Sequence, residues 1–365
     1  QVIVNSSLKI TLLALCFFFI PFPTGNAGPL IVQKQVFEIP VFNTDSGAKI
    51  ANVRLGYETY GKLNARGDNA IFISHFYSGS SHAAGKYTES DSASGYWDAI
   101  IGSGKPIDTD KYFVVSADTF ANLNVGDPKV ITTGPASIDP SSGRPYGLRF
   151  PVVSLRDSVR AHKALLDALG VKSLEAAAGA SGPWAIAMVD LWITPIKIDP
   201  AWNNGDYYGD SGPRVGLAKA LKLLTLTARH WGWANSTFGY AQSQRYPSPA
   251  SRVDGQFQIV DAFDLTGDTR AAMIDANHMI YMSRAGALYR LTETETRGIK
   301  AKILFVPAES DLIFPPEFSI QAAEAFKKTG GRAEIFMLSG SGGHLDGLFE
   351  IQQAASAIRS FLDSQ

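Results

Sequence analysis

The pattern of apolar and polar residues changes along the chain, and each change predicts a different element. From residue 36 to 60 apolar and polar positions alternate, which is typical of strands with one buried face. Two continuous apolar runs follow, at 69–74 and 112–116, and such runs indicate strands that are buried on both faces. The chain therefore begins with antiparallel strands and continues into the buried part of a sheet.

Helical patterns alternate with these strands and then replace them. Residues 154–157 form a capping box, and the apolar positions after it recur at helical spacing until Gly170. A short strand is expected at 174–178, so strand and helix alternate as in a parallel sheet. From 199 to 295 this alternation stops, which predicts an inserted helical lid. The lid has helical patterns at 217–231 and 270–287, and strand patterns resume at 301–306 and 333–337.

These elements predict an α/β fold with a mostly parallel central sheet, flanking helices and one insertion. We expect the core to comprise residues 28–198 and 296–365, and the lid residues 199–295. Of the 365 residues, 45% are hydrophobic and 18% are charged, which suits a well-buried core. The net charge of −1 gives no electrostatic basis for binding nucleic acid or an anionic membrane.

The first 27 residues have the character of a signal peptide. Lys9 supplies a positive charge, residues 10–22 are an apolar run too short to span a bilayer comfortably, and residues 25–27 resemble a cleavage site. We expect a secreted or periplasmic protein with no stable membrane insertion after cleavage, and an uncleaved anchor is the alternative. Cys16, the only cysteine, lies in this segment, so cysteine catalysis and zinc–thiolate sites are excluded.

A serine between a predicted strand and a predicted helix is the first candidate for chemistry. Residues 174–184 read Leu-Glu-Ala-Ala-Ala-Gly-Ala-Ser-Gly-Pro-Trp, so Ser181 has little bulk on either side. The α/β-hydrolase fold exposes its nucleophile on such a strand-to-helix turn, usually within Gly-x-Ser-x-Gly. Pro183 stands where the last glycine belongs, and a tight turn without reactivity is therefore the alternative.

Two residues in later loops complete a candidate catalytic triad. Acyl transfer through a serine needs a base and a group that orients the base, and in this fold the acid precedes the histidine. Asp311 follows the strand at 301–306, and His344 follows the last predicted strand after two glycines. Ser181, Asp311 and His344 are therefore in the order and positions of a triad.

Each of these assignments competes with another role. Asp311 is also placed to be a turn or helix-cap residue, and Glu309 and Asp346 are competing carboxylates. A hydrogen-bonded loop histidine is the alternative for His344. His162 lies on the apolar stripe of its helix and is expected to be structural.

The oxyanion hole is expected to include the loop after the first buried strand. It needs two backbone N–H groups, one from Gly182 and the other from Phe76 or Tyr77, although a plain surface loop is equally consistent with the sequence. His75 and His82 in the same loop have no carboxylate cluster to complete a metal site. We therefore predict no metal and no cofactor.

Several longer strings of residues resemble a known family. They are Gly-Tyr-Trp-Asp at 95–98, Ile-Gly-Ser-Gly-Lys-Pro-Ile-Asp-Thr-Asp-Lys-Tyr-Phe at 101–113, Thr-Gly-Pro-Ala-Ser-Ile-Asp-Pro at 133–140, Gly-Arg-Pro-Tyr-Gly at 143–147, Phe-Pro-Val-Val-Ser-Leu-Arg-Asp at 150–157, Asp-Leu-Ile-Phe-Pro-Pro at 311–316 and Gly-His at 343–344. Together they resemble the homoserine O-acetyltransferase-like branch of the α/β-hydrolases. The resemblance implies a Ser–His–Asp acyl transferase with a helical lid, often dimeric through that lid. Asp311 and His344 fall at the acid and base positions of that family.

The chain departs from the family pattern in three respects. Residues 118–125 lack the Gly-Gly-Cys-rich motif of members that acetylate homoserine. The family enzyme works beside acetyl-CoA in the cytoplasm, whereas this chain has an export signal. Between Ser181 and Asp199 there is room for one helix but no clear strand, so we expect a helix-plus-strand segment of the family to be absent.

These observations favour an exported enzyme that hydrolyses a small, acetyl-type ester through an acyl-serine intermediate. One alternative is an O-acetyltransferase that uses an acyl-CoA donor and a hydroxylated acceptor such as homoserine. The other is a catalytically inactive binding protein, produced by the shortened segment around Ser181. A homodimer through the lid is a further expectation from the resemblance.

Overall fold

A computed structural model of the chain describes residues 29–172, 183–299 and 301–364. The predicted strands that fall on described residues are present, with their ends shifted by a few residues. The strands are β1 (Gln35–Asn43), β2 (Lys49–Tyr60), β3 (Ala70–Ser74), β4 (Ile101–Gly102), β5 (Ile107–Asp108), β6 (Phe113–Ala117), β7 (Ile138–Asp139), β8 (Arg144–Pro145), β9 (Ile303–Phe305) and β10 (Ala333–Ile335). The strand expected at 174–178 lies outside the described residues.

The main described sheet has four strands in the order β1-β2-β6-β3. β1 and β2 are antiparallel, as are β2 and β6, whereas β3 runs parallel to β6 with Ala70 opposite Phe113. β9 and β10 form a separate parallel pair. Within the described residues, no strand pairing joins β3 to β9. β9 and β10 are parallel strands joined by a helix at Pro316–Lys328, and together with the mixed main sheet they confirm the predicted α/β class.

Ten α-helices occur in the described ranges. They are α1 (Leu155–Ala168), α2 (Pro183–Ile198), α3 (Arg214–Thr227), α4 (Trp231–Phe238), α5 (Gln258–Ala271), α6 (Ala276–Ala287), α7 (Glu293–Gly298), α8 (Pro316–Lys328), α9 (Asp346–Phe349) and α10 (Ala355–Asp363). The capping box predicted before α1 is present. The Ser154 side chain accepts a hydrogen bond from the backbone N–H of Asp157, and the Asp157 side chain accepts one from the backbone N–H of Ser154. None of these helices is long and apolar enough to cross a membrane.

The continuous helix predicted at 270–287 is wrong. α5 ends at Ala271 and α6 begins at Ala276. The break has a local cause, because the Asp275 carboxylate accepts a hydrogen bond from the backbone N–H of His278 at 2.9 Å and caps the new helix. Apolar periodicity runs through this break because both helices present buried residues to the same core.

α2, the helix that follows residue 182, packs with the helices of residues 199–295, and together they are called the helical region. α2 packs against α3 and α6, and its buried Trp192 and Ile196 lie in one cluster with Leu221 of α3 and Met279 of α6. As the length of this stretch predicted, one helix and no strand fills the chain between Pro183 and Asp199. By its packing, α2 therefore joins the helices of residues 199–295.

β6 lies at the centre of the sheet core and is buried along its whole length. α1 covers one face of the sheet, where Leu165 and Leu166 pack with Val115 and Ala117 of β6. The opposite side holds a second apolar cluster that includes Ile71 and Ile73 of β3. This arrangement fixes the carboxyl end of β3, from which the loop toward the candidate site departs.

Candidate active site

Asp311 and His344 meet although 33 positions separate them in the chain. The Nδ1–H of His344 donates to Oδ2 of Asp311 at 2.7 Å. Asp311 is buried, whereas about a third of the His344 side chain is exposed. The ring of Phe314 packs against the imidazole, with ring centres 5.6 Å apart. A carboxylate bonded to Nδ1 leaves the other imidazole nitrogen, Nε2, as the one that can take a proton from a nucleophile.

The other oxygen of Asp311 organises its own loop. Oδ1 accepts hydrogen bonds from the N–H groups of Ile313 at 2.8 Å and Phe314 at 2.9 Å. The turn role considered for Asp311 therefore exists beside the bond to His344. Because one carboxylate does both, the turn that precedes α8 also aims Oδ2 at the imidazole.

The two competing carboxylates hold the loop that carries His344. Glu309 accepts from the N–H of Gly340 at 3.0 Å. Asp346 is buried and accepts from the N–H of Gly342 and from the hydroxyl of Ser310, both at 3.0 Å. Neither forms a described hydrogen bond with the imidazole, so Asp311 alone has the geometry of an orienting group.

His344 lines a cavity of about 360 Å³, whose wall also includes residues of α2, α3, α5 and α6. α2 contributes Met188, Val189 and Trp192 to its wall, and Ile313 and Phe314 lie beside the histidine. Among the described residues that line it there is no carboxylate, while two arginines do line it, Arg229 and Arg270. A mostly apolar cavity with few polar groups is typical of a small-molecule site.

The loop after β3 reaches the same cavity, and its two residues proposed for the oxyanion hole, Phe76 and Tyr77, line it. Phe76 packs edge-on against Tyr96, and the Tyr77 hydroxyl donates to the carbonyl of Met279 at 3.1 Å. No acceptor among the described residues takes the backbone N–H of Phe76 or Tyr77. Which of the two faces a reacting carbonyl stays a prediction.

Side chains from the loop after β6 hold this loop in place. The Asn122 amide donates to the carbonyl of Gly79 and the Asn124 amide donates to the carbonyl of Ser78, each at 3.0 Å. His75 donates from Nδ1 to the carbonyl of Phe76 at 2.8 Å. Sequence reasoning missed the two asparagines, since their only signal is polar residues in a loop that departs from the family pattern.

The histidines of the loop do not converge on a shared site. His75 Nε2 accepts from the N–H of Thr119 at 3.2 Å, whereas His82 bonds to Glu58 at 3.0 Å through Nδ1. Within the described ranges no group of three histidine, cysteine or acidic side chains is arranged to hold a metal. His162 is buried and bonds to the carbonyl of Asp118 at 2.9 Å, in the structural role expected for it.

Ser181 and Gly182, the predicted nucleophile and one predicted oxyanion donor, lie outside the described residues. Their roles remain predictions. The described chain resumes at Pro183 with α2, whose Ala185 and Ile186 line the cavity that His344 faces. The first turn of α2 and His344 therefore line one cavity.

No family model matches the chain, but similar proteins from several organisms share one name. Homoserine O-acetyltransferase from Moorella thermoacetica is 33% identical over 353 residues, covering 87% of this chain and 92% of the relative. The enzyme of that name from Deferribacter desulfuricans is 34% identical over 374 residues, covering 92% and 97%. The second alignment is longer than the 365 residues of this chain, so that relative has positions that this chain lacks.

Solved structures extend the comparison to an esterase. Esterase E22 has a TM-score of 0.86 and 41% identity, covering 91% of this chain and all of that one. Homoserine O-acetyltransferase from Bacillus anthracis has a TM-score of 0.84 and 30% identity, covering 92% and 98%. The chain therefore belongs to the homoserine O-acetyltransferase family, whose members are acyl-transfer enzymes with the α/β-hydrolase fold.

Proposed function

We propose that this enzyme hydrolyses small esters through an acyl intermediate on Ser181. The observation that carries the proposal is the Asp311–His344 hydrogen bond of 2.7 Å at the wall of a largely apolar cavity. The 41% identity to an esterase supports hydrolysis in particular. An apolar wall favours the acyl and alcohol parts of an ester over a zwitterionic amino acid.

In the proposed mechanism, His344 moves one proton in each half of the reaction. Nε2 takes the proton of the Ser181 hydroxyl as its oxygen attacks the ester carbonyl, and Asp311 stabilises the imidazolium through Nδ1–H. The N–H of Gly182 and that of Phe76 or Tyr77 hold the oxyanion. The alcohol leaves with the proton from His344. Water then attacks the acyl-serine as it gives a proton to His344, and His344 passes that proton to the Ser181 oxygen when the carboxylic acid leaves.

An active-site probe tests the nucleophile directly. A fluorophosphonate probe should label the protein, and Ser181→Ala should abolish both labelling and hydrolysis of 4-nitrophenyl acetate. Ser78→Ala is a matched control, because Ser78 also lines the cavity but is not a proposed nucleophile. Labelling that persists in Ser181→Ala would contradict the assignment. A folded protein with neither labelling nor turnover would favour the inactive binding protein instead.

The second candidate is acetyl transfer from acetyl-CoA to an acceptor such as homoserine. The names of the relatives from Moorella and Deferribacter favour it. Against it, the described cavity lining has no carboxylate for the ammonium group of an amino acid. An assay with acetyl-CoA and homoserine distinguishes the two, since hydrolysis yields free acetate and transfer yields O-acetylhomoserine.

Export and dimerisation are also proposals. The signal-like residues 1–27 support secretion or transfer to the periplasm, and the N-terminus of the protein recovered from that compartment should begin near Gly28. Exposed apolar side chains on α2–α4, among them Leu191, Val215 and Trp231, support a homodimer through the helical region. Light scattering coupled to gel filtration would reveal a monomer if this is incorrect.

A further inference from the structure

The side chain of Tyr77 connects the loop after β3 to the helical region. Its hydroxyl donates to the carbonyl of Met279 on α6 at 3.1 Å. The same hydroxyl lies 2.7 Å from the hydroxyl of Ser283, which is buried about one turn further along α6. The Tyr77 ring packs against Trp192 of α2, with ring centres 5.7 Å apart. One residue of the loop therefore contacts two helices of the cavity wall.

The peptide group before Tyr77 is held in one orientation by bonds within the loop. The carbonyl of Phe76 accepts hydrogen bonds from Nδ1–H of His75 and from the backbone N–H of Gly79, both at 2.8 Å. A trans peptide group is planar, and its N–H points away from its C=O. Holding the Phe76 carbonyl therefore also sets the direction of the Tyr77 N–H, for which the described residues offer no acceptor.

Tyr77 differs from the other residues that hold this loop in what it connects. The Asn122 and Asn124 amides bond the loop to the segment after β6. The Tyr77 hydroxyl bonds it to α6, whose Met282 and Ser283 line the same cavity. Burial raises the pKa of the Tyr77 phenol, so the hydroxyl keeps its proton and remains a donor at neutral pH. The place of the loop relative to α6 therefore depends on this side chain.

We propose that Tyr77 is a positioning residue, whose hydroxyl holds the N–H groups of the loop after β3 within hydrogen-bond reach of the oxyanion formed from the ester. The proposal rests on the acyl-serine mechanism above and assigns a role in it to a side chain that does not touch the reacting atoms. An oxyanion exists only in the tetrahedral intermediate and in the transition states next to it. Loss of the hydroxyl should therefore weaken the binding of these states and leave the binding of the substrate unchanged.

Tyr77→Phe removes the hydroxyl and keeps both the backbone N–H and the ring that packs against Trp192. We expect kcat/KM for 4-nitrophenyl acetate to fall by about tenfold or more. The fall should be smaller than the roughly hundredfold to thousandfold loss caused by removing an oxyanion donor outright, because the N–H groups remain.

A pair of ketones tests whether the loss is confined to the oxyanion. The Ser181 oxygen adds to the carbonyl carbon of phenethyl trifluoromethyl ketone, its proton passes to His344, and the resulting oxyanion lies in the oxyanion hole. Phenethyl methyl ketone has the same shape and binds without this addition. In Tyr77→Phe, the inhibition constant of the trifluoromethyl ketone should rise by about the factor by which kcat/KM falls, and that of the methyl ketone should stay within about twofold of wild type.

Tyr281→Phe is the matched control, because Tyr281 also lies on α6 but is not among the residues that line the cavity. Its hydroxyl donates to the carbonyls of Leu148 at 3.2 Å and Phe150 at 2.5 Å. Loss of these bonds should lower the thermal stability about as much as Tyr77→Phe does. It should leave kcat/KM and both inhibition constants within about twofold of wild type.

Ser283→Ala is a second variant, which keeps the proposal testable if Tyr77→Phe does not fold. It removes one of the two partners of the Tyr77 hydroxyl and leaves the other, the carbonyl of Met279. It should weaken binding of the trifluoromethyl ketone less than Tyr77→Phe does, and again not that of the methyl ketone. Added to Tyr77→Phe, it should cause little further loss, because the bond between the two hydroxyls is already absent.

The outcomes are distinguishable. Equal weakening of both ketones by Tyr77→Phe would mean that the hydroxyl binds the substrate directly, and unchanged kcat/KM would mean that the loop keeps its place without it. A loss of the same size in Tyr281→Phe would mean that stability, and not position, limits the rate. Each of these results overturns the role of Tyr77 while the esterase function stands on turnover by wild type. Absence of ester turnover by folded wild type overturns the esterase function and the positioning role together.

Discussion

Asp311 carries two roles on its two carboxylate oxygens. One oxygen orients His344, and the other holds the turn before α8 through the N–H groups of Ile313 and Phe314. An acid that served only as a turn residue would not point its second oxygen at an imidazole. The hydrogen bonds that hold the turn therefore also orient the Asp311 carboxylate toward His344.

Asp311→Asn should lower kcat by about ten-thousand-fold while the protein stays folded. In one orientation the asparagine oxygen accepts from the N–H groups of the turn, and its NH₂ group then faces the Nδ1–H of His344, so that two donors oppose each other. In the flipped orientation the oxygen accepts from Nδ1–H of His344, and the hydrogen bonds to the turn are lost. Steady-state kinetics on 4-nitrophenyl acetate and circular dichroism check this expectation.

Glu309→Gln is the matched control for that variant. Glu309 lies two residues before Asp311, and its Oε1 accepts from Gly340, a bond that a glutamine oxygen can keep. Its kcat should stay within about threefold of wild type. If Asp311→Asn and Glu309→Gln behave alike, Asp311 is not the orienting acid.

The residues of the site differ in how far the sequence predicts them. Asp311 and His344 were identifiable because the fold delivers acid and base in loops that follow particular strands. Asn122 and Asn124 were not, since each acts through its position in three dimensions and belongs to no local pattern. Their neighbours in the chain are ordinary loop residues.

At the scale of elements, the loop between β10 and α9 brings His344 to the cavity. Gly343 has a φ of +81°, and a Cβ there would lie 2.7 Å from the carbonyl oxygen of Ala228 and 2.8 Å from the backbone nitrogen of His230. Its N–H donates to the Ser310 hydroxyl at 3.0 Å. The loop therefore approaches the α3–α4 connection too closely for any side chain at this position.

Gly343→Ala should consequently displace the loop and His344 with it. We expect kcat to fall by about a hundredfold, because a shift of about 1 Å is enough to misalign a general base. The positive φ adds about 1 kcal/mol of destabilisation or more. Kinetics and thermal unfolding measure the two effects separately.

Gly347→Ala is the control within the next helix. A Cβ at Gly347 meets no atom within 4 Å, and its φ is not positive. This variant should match wild type in kcat and should be at least as stable, since alanine favours a helix. Similar losses in the two alanine variants would show that the backbone at Gly343 is not the constraint.

Element boundaries were the less predictable part of the fold. The strands and α1 follow from periodicity and a capping box, which are local signals. The break before α6 depends on one side-chain hydrogen bond from Asp275, and the packing of α2 depends on which surface its apolar face meets. The periodicity of apolar residues predicts neither the break before α6 nor the packing of α2.

At the scale of the whole molecule, three buried histidines link folding to pH. His75 and His278 each donate from Nδ1 to a carbonyl and accept a backbone N–H on Nε2, from Thr119 and Ala136 respectively. An imidazolium cannot accept that N–H. Burial lowers the pKa of His75 and His278, and it lowers that of His162 to about 4.

Stability should therefore fall as the pH falls below about 6.5, the ordinary pKa of histidine. In that range the unfolded chain binds protons that the folded chain does not, down to the lowered folded pKa values. For His162, a folded pKa of about 4 corresponds to a loss of about 2 kcal/mol in the free energy of unfolding between pH 7.5 and 5. Carboxylates titrate mainly below this window, so the histidines dominate it.

His162→Gln isolates one of these contributions. The glutamine amide can still donate to the carbonyl of Asp118, as the His162 Nε2–H does at 2.9 Å, but it has no proton to gain. The drop in the free energy of unfolding between pH 7.5 and 5, measured by urea denaturation, should be smaller in this variant by about 2 kcal/mol. The two remaining buried histidines should keep a residual slope of the same sign. An unchanged drop would mean that His162 is protonated as easily in the folded chain as in the unfolded one, and burial in α1 against Phe72 would then not govern its charge.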